Sequence, residues 1–163
     1  MRDRVGMTAA LGVLLLAMST GVASAHSLTS SAQPVCMNST STCGLTIHCD
    51  PLLSNNLEIN WDGGSHFRML ERLETVACFD DPAIDQRPPS APLDTLIGRG
   101  TGRYDGVDGY TIEFTLVDAG EPGRSDEIGF VITAPDGSIV INVPVQDLTG
   151  GNLQAHFDQP HKR

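Results

Sequence analysis

Apolar and polar residues alternate with period two along much of the chain from Leu45 onward. "LTIHC" (45–49) and "LEINW" (57–61) each gather every second side chain on one apolar face. "TIEFTLV" (111–117) sets Ile112, Phe114 and Leu116 against Glu113 and Thr115, and "EIGFVIT" (127–133) aligns Ile128, Phe130 and Ile132. "IVINVPV" (139–145) returns behind a Pro135-Asp136-Gly137-Ser138 turn. Asp62-Gly63-Gly64-Ser65 predicts a two-residue hairpin, and Asp105-Gly106 a second tight turn after the glycine-rich strand that opens "LIGRGTGRYDGVDGY" (96–110). "HFRMLERLETVAC" (66–78) is ambiguous. Phe67, Leu70, Leu73 and Ala77 have helical spacing, whereas Phe67 with Met69 and Val76 with Cys78 fit a strand broken by a bend. The hairpin turn just before this stretch favours the strand. "DDPAIDQRPPSAPLDT" (80–95), with four prolines, reads as an extended surface connector. Many short strands with almost no helix signal predict an all-β chain: an antiparallel β-sandwich or barrel-like single domain with a disordered N-terminal arm.

The flanks set the bounds of that domain. Residues 26–43, "HSLTSSAQPVCMNSTSTC", are Ser/Thr-rich and nearly free of large apolar side chains, the composition of a mobile arm. Residues 44–149 are the β-domain and 150–163, "GGNLQAHFDQPHKR", a polar tail. Residues 1–25 begin with Arg2 and Arg4, continue through an apolar run from Ala9 to Met18 and end in Ala23-Ser24-Ala25. That is the pattern of a signal peptide cleaved after Ala25. Its apolar run is shorter than the ~20 residues of a membrane span. The expectation is a secreted or periplasmic protein with no membrane span in the mature chain. The formal net charge of the whole chain is −10, and removal of two arginines and one aspartate with the leader leaves −11. Such a charge disfavours nucleic acid and anionic lipid, and fits solubility, a cation, or a neutral partner such as a glycan.

The cysteines are Cys36, Cys43, Cys49 and Cys78. An even number in an exported chain predicts two disulfides, with three connectivities open; no C-x-x-C pair supports a zinc site. A hairpin centred on Gly63-Gly64 pairs residues whose numbers sum to 127, and Cys49 with Cys78 share that sum. The register therefore favours Cys49–Cys78 and leaves Cys36–Cys43. Ring closure would contribute ~3.6 kcal/mol for the larger ring and ~2.5 kcal/mol for the smaller.

The run from His48 to Asp126 carries a set of short motifs: His48-Cys49-Asp50, Asn55 to Trp61, Cys78 to Pro82, Leu93-Asp94-Thr95, Gly98 to Val107, and Asp118 to Asp126. Their order resembles a group of exported bacterial β-domains without an assigned activity, and more loosely the domain that follows choice-of-anchor modules in surface proteins. The likeness covers about half of the mature chain. Asp105 stands where that group usually has asparagine. The resemblance implies a β-fold outside the cytoplasm and names no activity.

Candidate chemistry is sparse. "GRGTGR" lacks the lysine of a P-loop and leads into a strand, so its glycines are read as allowing a bulge or close strand approach. No G-x-S-x-G elbow occurs. Only Trp61, Tyr104 and Tyr110 could stack on a sugar, and Trp61 shares its alternating strand with Leu57 and Ile59, which fits the core. Cleavage after Ala25 would make His26 the new N-terminus, able to hold copper with His156 or His161 in the manner of the lytic polysaccharide monooxygenases. "VDAGEPGRSDEIGF" crowds Asp118, Glu121 and Asp126 into one loop, a candidate Ca²⁺ site completed by Asp105 or Asp108. The competing reading is a hydrogen-bonded turn in which Asp118 and Asp126 accept backbone N–H groups and Arg124 neutralises Glu121. The expectation is thus an exported, non-catalytic binding or structural domain at the cell envelope or in the extracellular matrix. It has no catalytic residues, Ca²⁺ is the one candidate cofactor, and the partner is an envelope protein or a glycan. The alternative is a small secreted hydrolase or a copper-dependent oxidase acting on polysaccharide.

Overall fold

The computed structural model describes residues 26–37, 41–85 and 93–157. The predicted signal peptide, His161 and much of the proline-rich connector lie outside the described residues. The described chain is all-β. Its strands are β1 (His26–Met37), β2 (Ser41–His48), β3 (Asn56–Trp61), β4 (His66–Phe79), β5 (Thr95–Tyr104), β6 (Val107–Val117), β7 (Glu127–Thr133), β8 (Ile139–Asp147) and β9 (Gly150–Phe157). They form one sheet in the order β8-β7-β6-β5-β4-β3-β2-β1-β9, an up-and-down meander whose last strand returns beside the first. Every neighbouring pair is antiparallel. Among the described residues, no helix is long and apolar enough to cross a membrane.

The sheet is curled into a half-barrel. Trp61 on β3 and Phe130 on β7 are four strands apart, about 19 Å along a flat sheet, yet their ring centroids lie 6.4 Å apart across the interior. The curl follows from the alternation read in the sequence. Cys43, Leu45 and Ile47 (β2), Leu57 and Ile59 (β3), Phe67 and Met69 (β4), Ile112, Phe114 and Leu116 (β6), and Ile128, Phe130 and Ile132 (β7) all point inward and are buried in one cluster. Each large side chain so buried is worth roughly 1.5–3 kcal/mol.

Strand parity explains why the barrel stays open. Alternation through nine strands leaves the two outer ones, β8 and β9, running in the same sense. Only Leu148 and Thr149 separate them in the chain, a link of at most ~11 Å. They meet at that corner but cannot make the antiparallel pair of a hairpin. Instead β9 turns along the β6–β7 loop and pairs with β1, Leu28 opposite Ala155 and Ser30 opposite Leu153.

Within the stretch expected as an N-terminal arm, residues 26–37 lie along the sheet as β1, with Ser27 opposite His48 and Met37 opposite Ser41 on β2 and His26 opposite Phe157 on β9, and 41–43 open β2. Three other sequence readings change. The start of the expected polar tail is β9 itself. Neither β1 nor β9 has a run of large apolar residues, although β9 buries Leu153 and Ala155. The hairpin after Trp61 is one residue longer than predicted: Ile59 pairs Phe67 and Trp61 N–H donates to Ser65 O at 2.9 Å. Its register sum is therefore 126. The predicted Cys49–Cys78 disulfide is present all the same, with Cα atoms 5.9 Å apart. Its cause is different: the 50–55 turn delays β3 until Asn56, so the ends of β2 and β4 face each other past it. The bent-strand reading of 66–78 holds, as β4 breaks register with β5 between Met69 and Thr75. Cys43 is also disulfide-bonded; the side chain of Cys36, its expected partner, lies outside the described residues.

Candidate functional site

In a meander, alternate connections lie at opposite ends of the sheet. The 50–55 turn, the β4–β5 connector and the β6–β7 loop share one end. The Trp61–Ser65 and Asp105-Gly106 turns share the other.

The acidic loop works as a clasp on β9. β9 pairs with β1 along one edge only, so the N–H groups on its other edge need acceptors. Asp126 Oδ2 accepts Leu153 N–H at 2.6 Å and Asp118 Oδ2 accepts Ala155 N–H at 2.7 Å. The remaining oxygens hold the loop itself: Asp126 Oδ1 takes Ala119 N–H at 3.0 Å and Asp118 Oδ1 takes Gly120 N–H at 2.9 Å. Glu121 Oε1 accepts the side-chain amides of Asn152 and Gln154, at 3.0 and 3.3 Å, rather than Arg124. The loop thus takes the place of a neighbouring strand, with carboxylates at the spacing of alternate amides. Burial pushes the Asp126 carboxyl up to about 6, the N–H bonds from Leu153 and Ala119 oppose that rise, and the charges of Asp118 and Glu121 add to it.

The other motifs at this end are fasteners too. Asp94 is fully buried; it accepts Asp81 N–H at 3.1 and 3.0 Å and the Thr95 hydroxyl at 2.6 Å. Burial raises its pKa, with Thr95 and Asp81 pulling the other way. Asn55 Oδ1 accepts His48 N–H at 2.6 Å, and its amide donates to the carbonyls of Asp50 and Leu53. Leu93 and Ala155 pack against the Cys49–Cys78 bridge. Asn55, Asp94, Asp118 and Asp126 therefore supply, at this end, hydrogen bonds that close the fold.

The five residues of the candidate Ca²⁺ site are divided between the two ends. Asp105 and Asp108 lie one strand length, about 30 Å, from Asp118, Glu121 and Asp126. Asp105 Oδ1 accepts His66 N–H at 2.7 Å, and Asp108 forms a two-pronged pair with Arg103, at 2.7 and 3.1 Å, which lowers its pKa. The loop carboxylates already hold N–H donors, whereas Ca²⁺ takes about six to eight oxygens. For the copper reading, β1 begins at His26, and Ser27 pairs with both His48 and His156. His156 Nε2 lies 2.9 Å from Thr29 Oγ1, two residues further along β1. The His26 side chain is outside the described residues.

The opposite end of the half-barrel is aromatic, and is called the mouth below. Trp61 ends β3, Tyr104 ends β5 and Tyr110 sits at the start of β6, so the chain's only tryptophan and both tyrosines converge there. The Tyr104 and Tyr110 ring centroids are 5.4 Å apart and tilted by 36°, and Trp61 meets Tyr104 edge-on at 6.0 Å. All three are half-buried against the core. Beneath them are two polar atoms sealed from solvent without a hydrogen-bond partner, Trp61 Nε1 and Ser41 Oγ. Ser41 and Trp61 are opposite each other in the β2–β3 register and share the inner face. An unsatisfied buried donor costs about 1–3 kcal/mol, which a folded protein rarely carries without a reason.

The sequence named the three aromatics singly and missed their convergence. A signal was there: each flanks one of two turns, Asp62-Gly63-Gly64 or Asp105-Gly106, and those turns must share an end. Ser41 gave none, since it sat in a stretch read as an arm. Comparisons with protein-family models, with curated proteins and with solved structures returned no match to this chain.

Proposed function

We propose that the mature chain is an exported, non-catalytic binding domain of the cell envelope or its surroundings, and that it takes its ligand at the aromatic mouth. The observation that carries this is the convergence of Trp61, Tyr104 and Tyr110 above two unpartnered polar atoms at one end of the half-barrel. Mouths of curled sheets are common ligand sites, with aromatic walls and a few polar groups that fix orientation. The leader-like first 25 residues, the Cys49–Cys78 disulfide and the resemblance to exported bacterial β-domains support the location. The test is retention of the oxidised mature protein on immobilised envelope glycans, beside a Tyr104→Ala/Tyr110→Ala variant. The reading expects the wild type to be retained and the variant to pass through. Equal behaviour of the two would remove the mouth from the proposal.

A copper-dependent oxidase is the second reading, because β1 places His26 in the sheet beside His156 rather than on a loose arm. It requires one Cu²⁺ bound at the amine of His26, read as a nitrogen-rich paramagnetic spectrum that disappears when an extra residue is left before His26.

A further inference from the structure

We infer that the ligand of the mouth is a neutral, polyhydroxylated sugar unit, seated on the Tyr104–Tyr110 shelf and held by Trp61 Nε1 and Ser41 Oγ. The inference rests on the binding reading above and gives it a ligand class. Four observations select that class. The Tyr104 and Tyr110 rings are tilted by 36° with centroids 5.4 Å apart, so they pack on each other as one aromatic surface, suited to the C–H face of a sugar ring, rather than facing each other as a cage. With centroids 6.0 and 5.4 Å apart, the Trp61–Tyr104 and Tyr104–Tyr110 pairs leave no space between their rings for a quaternary ammonium group. Trp61 Nε1 donates only, so the ligand must offer an acceptor; Ser41 Oγ donates and accepts, which a hydroxyl matches in both senses. Anionic sugars are disfavoured by a mature chain of net charge −11 and by Asp62 and Asp105 on the rim turns. Because both orphan atoms are sealed in the free protein, binding swings the indole outward, toward the half-exposed tyrosines. That movement is directly readable, as Trp61 is the only tryptophan.

The experiment is affinity electrophoresis of the oxidised mature protein through neutral polysaccharides (β-glucan, α-glucan, xylan, chitin oligomers) and anionic ones (polygalacturonate, alginate), with tryptophan emission followed in parallel and choline chloride as the cationic control. The expected result is retardation by a neutral polysaccharide with a shift in Trp61 emission. Ser41→Ala and Trp61→Phe, each keeping the shape of the fold, should weaken that binding about tenfold, one hydrogen bond's worth. Their melting temperatures, measured alongside, should stay close to wild type. An emission response to choline or to the anionic polymers alone would overturn the sugar assignment. Retardation by a neutral polysaccharide with unchanged emission and wild-type behaviour of Ser41→Ala would place binding elsewhere, leaving a binding domain without this site. No retention on any polymer and none on envelope extract would overturn the binding reading itself.

Discussion

Asp126 shows how one side chain decides between a metal site and a structural one. Its two oxygens satisfy Ala119 and Leu153, and its residue is fully buried. Asp126→Ala leaves both amides without an acceptor and should cost about 2–4 kcal/mol, read from the urea midpoint; a loss below about 0.5 kcal/mol would mean the clasp carries no strain-bearing hydrogen bonds. The same residue sets a pH dependence. Its folded pKa, about 6 against the ordinary 3.8, means that the native state holds the proton more tightly than the unfolded chain. Its contribution to stability is therefore full below about pH 3.8 and lost as pH rises through about 6. Asp94, also raised by burial, acts in the same direction. Between pH 7 and pH 5 the wild type should gain in urea midpoint, and Asp126→Asn should flatten that gain. Glycine choices are equally local. Gly98 and Gly102 face inward beneath the rings of Phe114 and Phe67, and a side chain at Gly102 would also come 2.6 Å from the Arg68 carbonyl. The reading of "GRGTGR" as close strand approach was legible for that reason. Asp105, where the resembling domains carry asparagine, has φ of 48° and accepts His66 N–H, which either residue can do.

Elements differ in how visible they were. β3, β6 and β7 could be read because one face of each is largely apolar and buried. β1 and β9 could not, since β1 is rich in Ser and Thr, β9 has few large apolar residues, and the place of both depends on partners far away in the chain. A polar arm without strand partners could be removed at little cost, but among the described residues β1 is the strand that pairs with β9. Deleting residues 26–43 should abolish the cooperative thermal transition, and a truncated protein melting near the wild-type temperature would show that β1 contributes nothing to the sheet. The disulfide is a separate fastener. It closes a loop of 29 residues in sequence separation and joins the ends of β2 and β4 where β3 falls short. Cys49→Ser with Cys78→Ser should lower stability by about 3–4 kcal/mol, as measured by chemical denaturation under oxidising conditions.

At the scale of the whole molecule, the two ends of the half-barrel have divided the work. One end holds three buried aspartates, the disulfide and the clasp on β9, with Asn152 Oδ1 unpartnered beside the clasp; the other holds the aromatic cluster and the unpartnered Trp61 Nε1 and Ser41 Oγ. Fold class was legible because it depends on local alternation, repeated strand after strand. The site was not, because it depends on curl: Trp61, Tyr104 and Tyr110 come from three strands, and only a closed-up sheet sets them side by side. The proposed function requires that the acidic end be closed by protein donors rather than by a metal ion. Amide hydrogen exchange at Leu153 and Ala155 tests this most directly. The prediction is slow exchange at both amides in metal-free protein, unchanged by millimolar Ca²⁺ or by chelator, and fast exchange at Leu153 in Asp126→Ala. Fast exchange at both amides in the metal-free protein, with protection appearing only on addition of Ca²⁺, would contradict it and return the loop to the metal.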